Sequence, residues 1–165
     1  LMVTRHYAQR DYPFIFTNGV QASYVEVDPD TGFVKLLKHW AVEDCGRVLN
    51  PKLVDEQIRG AIVQGIGGAL FEECLYDDEG LMRNANMADY LVPMSGEMPD
   101  IEVAHVQTPT RSSQLGAKGA GEAGTAGAPA AVMNAINDAL APFKAELWSQ
   151  PITPEKVLRA LGRVA

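Results

Sequence analysis

The chain has 165 residues, 47% of them hydrophobic and 21% charged, with a formal net charge of −7. That balance suits a globular domain with a real core and excludes a nucleic-acid surface, which needs clustered Lys and Arg. No apolar run approaches the ~20 residues that span a bilayer, no signal peptide is visible, and Cys45 and Cys74 lack CxxC spacing, which fits a reducing, cytoplasmic setting.

Residues 1–18 read as an extended linker from an upstream part of a longer polypeptide, and 19–165 as the domain proper. Residues 20–28 alternate apolar and polar, which predicts a strand with one buried face. The turn signal Pro29-Asp30-Thr31-Gly32 follows, and 33–42 resumes in extended form, making a hairpin. Gly46 and Asn50-Pro51 break it ahead of a helix predicted over 51–73. One side of that helix carries Ile58, Ile62, Val63, Ile66 and Leu70, a core stripe at 100° per residue. The other gathers Gln57, Gly60, Ala61, Gln64, Gly67 and Gly68. Mid-helix glycine costs about 1 kcal/mol against alanine, so a close neighbour, either another backbone or a ligand, must offset it.

A second hairpin is predicted over 75–82, with Asp77-Asp78-Glu79-Gly80 at its tip. A short extended run at 87–93 ends on Pro93, and 101–107 alternate as another strand. Further helices are predicted over 129–140, with Pro129 in the first turn, and from the N-cap Thr153 to 161. The fold class expected is α+β: an antiparallel-rich sheet with hairpins, and helices packed on one face.

The segment 114–129 sets five glycines (Gly116, Gly119, Gly121, Gly124 and Gly127) around one carboxylate, Glu122. Glycine lets backbone N–H groups approach a ligand, and an acid enclosed by such backbone is expected to have a raised pKa suited to a base. The same glycines would also serve a turn where two elements cross. Gly119-Ala-Gly121-Glu-Ala-Gly124 formally matches GxGxxG, but no strand directly precedes it and Glu122 would oppose a pyrophosphate, so a nicotinamide-binding domain is disfavoured. His6, His39 and His105 have no metal-ligand spacing and read as ordinary packed or surface residues. Cys45 reads as a buried structural thiol, and Asp77-Asp78-Glu79 as a solvated tip.

Three motifs in order carry a resemblance: Asp44-Cys-Gly-Arg-Val-Leu-Asn-Pro51, Gln57-Ile-Arg-Gly-Ala-Ile-Val-Gln-Gly-Ile-Gly68 and Gly116-Ala-Lys-Gly-Ala-Gly-Glu122. From about Gly19 to Leu161 the chain resembles the C-terminal part of the molybdopterin-binding large subunit of molybdenum hydroxylases. These are the xanthine dehydrogenase, aldehyde oxidoreductase and aerobic carbon monoxide dehydrogenase family. The resemblance implies oxidation of an electron-poor C–H (purine, aldehyde or N-heterocycle) or of carbon monoxide, with water as oxygen source. Hydride passes to Mo=S, and electrons go on to Fe–S clusters and FAD held by partner subunits or domains. It implies that Glu122 is the base, that Gln57 contacts the cofactor, and that the backbone of Lys118, Gly119, Ala120 and Gly121 flanks it.

The cofactor implied is molybdenum-molybdopterin, in bacterial relatives often as the cytosine dinucleotide, with no metal ligand from this chain. Partners implied are the upstream part of the same large subunit, which shapes the substrate pocket, and the Fe–S and FAD subunits. The whole is a cytoplasmic dimer of heterotrimers acting on a small molecule, without nucleic acid or membrane. A piece lacking the upstream segments would be inactive alone. A non-catalytic cofactor-assembly or scaffold module of the same family is the alternative.

Overall fold

The computed structural model describes residues 2–6 and 14–165, so part of the expected linker, residues 1 and 7–13, lies outside the described residues. Strands β1 (Asn18–Val27) and β2 (Val34–Asp44) form the predicted antiparallel hairpin. Asp28 builds its turn by accepting from the Asp30 N–H at 2.9 Å and the Thr31 hydroxyl at 2.7 Å, an Asx-type arrangement. A third strand, β3 (Ile101–His105), adds to the far edge of β2 in parallel, giving the order β1-β2-β3.

The sheet is therefore mixed: the antiparallel-rich expectation holds for β1 and β2 and is corrected for β3, which pairs in parallel. The reason is topological. Between β2 and β3 runs a long crossover containing α1 (Pro51–Leu70), and a crossover returns the chain in the same direction.

Side chains alternate across the sheet, except that a register irregularity at Leu37 puts Leu36 and His39 on one face. On β2, Leu36, His39, Ala41 and Glu43 are buried, while Val42 is exposed on the other face. The buried face is covered by α2 (Ala123–Leu140), which packs on β1, and by α1, which packs on α2. Ile58, Ile62 and Ile66 from α1 meet Val132, Ile136 and Leu140 from α2 in one core. Full burial of each such side chain is worth about 1.5–3 kcal/mol. Val63 and Leu70, expected in the same stripe, pack at the core's margin.

Helix α1 starts where the sequence predicts: Asn50 accepts from the Leu53 N–H at 3.3 Å, and Pro51 takes the first position. It ends at Leu70 rather than 73. Part of its small-residue face serves helix packing. A Cβ on Gly65 would stand 2.9 Å from Ala128 Cβ, and one on Gly124 of α2 would stand 2.5 Å from the Ile58 carbonyl oxygen. A Cβ on Gly60 or Gly68 would meet nothing among the described residues.

Three further expectations are corrected. Helix α2 begins at Ala123, not 129, so Pro129 lies inside it. A proline cannot donate to the Thr125 carbonyl, but Gly65 leaves room for that segment, with its missing Cβ only 3.0 Å from Thr125 O. Burial of Gly124 and Ala128 offsets the lost bond. Residues 87–90 form turns instead of a strand, and 91–93 join no sheet. Asn86 accepts from the Ala88 N–H through its side chain and from Asp89 and Tyr90 through its carbonyl, which locally outcompetes extension. The hairpin at 75–82 is reduced to one bridge, Tyr76 to Met82, with Asp77 capping its tip. Finally, α3 (Pro154–Ala160) starts at the predicted cap Thr153 and inserts Val157 into the core. Among the described residues, no helix is long and apolar enough to cross a membrane.

Candidate functional site

The glycine-rich segment leaves β3, crosses the end of β2 and enters α2. Two ties fix it. At the first, Lys118 donates its N–H to Cys45 O at 2.7 Å, and Arg47 donates to Gly116 O at 3.0 Å. Gly46 takes φ +69° there, and a Cβ on it would stand 2.5 Å from Gly116 O. The Asp44 carboxylate locks this crossing. It accepts from the N–H groups of Gly46 at 2.9 Å and Thr108 at 3.0 Å, and meets Lys118 Nζ at 3.3 Å. These contacts, those of Thr108 foremost, hold Asp44 well below the usual carboxylate range. The Asp44-Cys45-Gly46 motif is thus a fastening, and Cys45 is buried beneath it, its thiol pushed upward by burial.

At the second tie, Gln57 of α1 donates Nε2–H to Gly121 O at 2.8 Å. Between the ties, the N–H groups of Gly119, Ala120 and Gly121 have no partner among the described residues. Gly119 and Gly121 also have nothing within 4 Å where a Cβ would stand.

Glu122 is the N-cap residue of α2, yet its side chain makes no capping bond. Among the described residues its carboxylate has no hydrogen-bond partner, and it stands at the positive end of the helix. It lines a cavity of about 530 Å³ together with Gly119, Gly121, Gly19, Gln21 and Glu43. The expected enclosure of Glu122 is not met: it is exposed, because the flanking glycines carry no side chains to cover it.

Of the residues singled out from sequence, the structure gathers Glu122, Gly119 and Gly121 on the cavity and sets Gln57 on the loop's end. Lys118 turns its ammonium to Asp44 and spends its N–H on Cys45, and Ala120 is half-buried beside it.

Sequence reasoning missed the cavity floor. Glu43 is 1% exposed and His39 fully buried. Gln21 Nε2 donates to Glu43 Oε1 at 3.1 Å and to the Gly124 carbonyl at 2.9 Å. A carbonyl only accepts, so Gln21 must present Oε1 to His39 Nε2 at 3.1 Å, and that nitrogen carries the imidazole proton. The Ser23 hydroxyl then donates to His39 Nδ1 at 2.9 Å. Burial lowers His39 to about 4, so the ring is neutral. Burial also pushes Glu43 upward, against the opposing pull of Gln21 and His105. The available signal was polar residues at period two, Gln21 and Ser23 on β1 and His39 and Glu43 on β2, all on the inward face.

These residues fit an organic ligand that carries hydrogen-bond acceptors. They offer two Cβ-less positions, unspent N–H donors and a free carboxylate on one cavity.

Comparison with known proteins shows the family. A family model described as a molybdopterin cofactor-binding domain matches residues 1–99. The chain is 50% identical over 146 residues to the nicotine 6-hydroxylase large subunit of Paenarthrobacter nicotinovorans, covering 88% of this chain and 18% of that one. It is 33% identical over 130 residues to the carbon monoxide dehydrogenase large chain of Afipia carboxidovorans, covering 79% of this chain and 16% of that one. Quinoline 2-oxidoreductase from Pseudomonas putida 86 superposes with a TM-score of 0.86 at 43% identity, covering 88% of this chain and 19% of that one. This chain thus spans under a fifth of the length of each of these relatives. It belongs to the molybdopterin cofactor-binding family of molybdenum hydroxylase large subunits.

Proposed function

We propose that this chain supplies the base and one wall of the cofactor site in a molybdenum hydroxylase. The observation that carries the reading is the Glu122 carboxylate, unspent at the start of α2 on a cavity rimmed by Gly119 and Gly121. When bound, the molybdenum cofactor supplies the two-electron acceptor and the oxygen of water. The chain's own part is to hold that group and to move a proton. Gly119, Ala120 and Gly121 offer N–H donors to the pterin, and Gln57, with Oε1 still free, borders them. Lys118 serves by fastening the loop. The Glu122 carboxylate accepts the proton shed as oxygen bonds to the substrate carbon.

The names of two relatives, a nicotine hydroxylase and a quinoline oxidoreductase, favour an N-heterocycle C–H as substrate. Its carbon next to ring nitrogen is electron-poor and open to attack. The remaining cavity walls come from the upstream part of the large subunit. Electrons leave to Fe–S clusters and FAD on partners, in a cytoplasmic dimer of heterotrimers with the cofactor as the cytosine dinucleotide.

Glu122→Gln in the assembled enzyme keeps size and hydrogen-bonding but removes the proton acceptor. Turnover on an N-heterocycle is expected to fall by about 10²–10⁴-fold, with molybdenum and pterin content unchanged. Turnover at the parent rate in a fully loaded variant would remove Glu122 from proton transfer. Absence of pterin from the parent enzyme would remove the whole reading.

A further inference from the structure

The cavity has a second acid on its floor, and nothing in the proton-transfer reading uses it. We propose that Glu43 binds the same ligand as Glu122, with Oε2 carrying a proton and donating a hydrogen bond to a ring nitrogen or oxygen of the pterin. This rests on the reading of the cavity as a molybdopterin site.

Geometry isolates that oxygen. Glu43 is nine-tenths buried and more, yet it lines the cavity. Oε1 is taken by Gln21, while Oε2 has no hydrogen-bond partner among the described residues. Glycines clear space on both sides of the pair. A Cβ on Gly19 would collide with the Glu43 carboxylate, and one on Gly127 would stand 3.0 Å from the Gln21 amide carbon. The amide of Gln21 cannot turn, since Gly124 O and His39 fix its two ends. Glu43 is therefore held with one oxygen satisfied and the other facing the cavity.

The charges around it favour the neutral acid. From β1 it faces Gln21 and Gly19, which do not titrate. On β2, His39 is neutral, and Asp44 beside it is an anion held by Lys118. On β3, His105 pulls the other way, but it is paired with Asp55 of α1 at 2.6 Å. Across the cavity stands Glu122, another carboxylate. Burial dominates, and it disfavours the anion. A neutral carboxyl has one O–H to give, and Oε2, on a side chain that lines the cavity, can give it to a ligand acceptor there.

The test is molybdenum and pterin content of the assembled enzyme after gel filtration across a pH series, in parent, Glu43→Gln and Glu43→Ala forms. In the Gln variant, Gln21 still requires an acceptor, so the amide Nε2 replaces Oε2 toward the cavity and donates at every pH. The parent is expected to lose about tenfold in cofactor affinity as pH rises and Glu43 deprotonates, one hydrogen bond's worth. Glu43→Gln should show no such loss, and Glu43→Ala should be about tenfold weaker throughout. Identical pH profiles for parent and Glu43→Gln would overturn the proposal, as would parent-like retention in a folded Glu43→Ala enzyme. Either result leaves the Glu122 reading standing, because the parent still carries pterin. Comparing parent with Glu43→Gln needs no destabilised variant.

Discussion

Of the five glycines, Gly116 packs against Pro109 in the first tie, and the other four divide at Glu122 into two regions with opposite neighbours. Before it, Gly119 and Gly121 look onto empty space, with the N–H groups of that stretch unspent. After it, Gly124 lies against the backbone of Ile58 and Gly127 against Gln21. One half is open to something outside this chain. The other half is helix–helix and helix–sheet packing. The same residue type, a few positions apart, therefore stands open on one side and in close packing on the other. What decides is the partner. Glu122 stands at the boundary, positioned by the packed half and exposed by the open half.

Alanine at one position in each half should separate the two roles. At Gly124 the new methyl would press on main chain, the Ile58 carbonyl and the Ile62 N–H, which cannot move aside like a side chain. Overpacking of this kind costs about 1–3 kcal/mol, and thermal melting of the assembled enzyme should shift down accordingly. Gly119→Ala should instead leave melting within about 0.5 kcal/mol of the parent, since its φ is not left-handed and its methyl enters free space. Its effect should appear as cofactor content reduced several-fold at limiting pterin. A Gly119→Ala enzyme that melts early but keeps its cofactor would reverse the comparison.

Much of the fold was legible because its signals are local. The hairpin followed from period-two alternation around Pro29–Gly32, and the caps at Asn50 and Thr153 from residue type and position. Pairing of β2 with β3 was not legible, since the parallel register depends on where a crossover of more than fifty residues returns. The start of α2 was misplaced for a related reason. Pro129 argues for a helix N-terminus locally, and only the missing Cβ of Gly65 on another helix makes it tolerable inside. At the site, Glu122 was conspicuous because its neighbours are unusual in sequence. Glu43 was not, because its neighbours Gly19, Gln21 and His39 assemble only when β1 and β2 pair. The fastening was not legible for the same reason: Lys118 and Asp44 meet across more than seventy positions.

The mildest change expected to disturb the open half is Gln57→Ala. Its Nε2 bond to Gly121 O is solvent-exposed, and an exposed hydrogen bond contributes about 0.5–1.5 kcal/mol locally and little to global unfolding. Melting should be nearly unchanged, because Ala is a good helix former at that position of α1. Locally the second tie is gone while the first, at Lys118 and Cys45, remains. The segment from Gly119 to Glu122 should then fluctuate about an anchored upstream end, and its amides should exchange with deuterium faster than those following Gly124. Turnover should fall by a few-fold, since Glu122 spends less time where it can take the proton. If exchange accelerates equally along α2, Gln57 supports the helix as a whole and the boundary at Glu122 is not real. If neither half changes, the Gln57 bond does not hold the loop, and the Lys118 crossing alone sets where Glu122 stands.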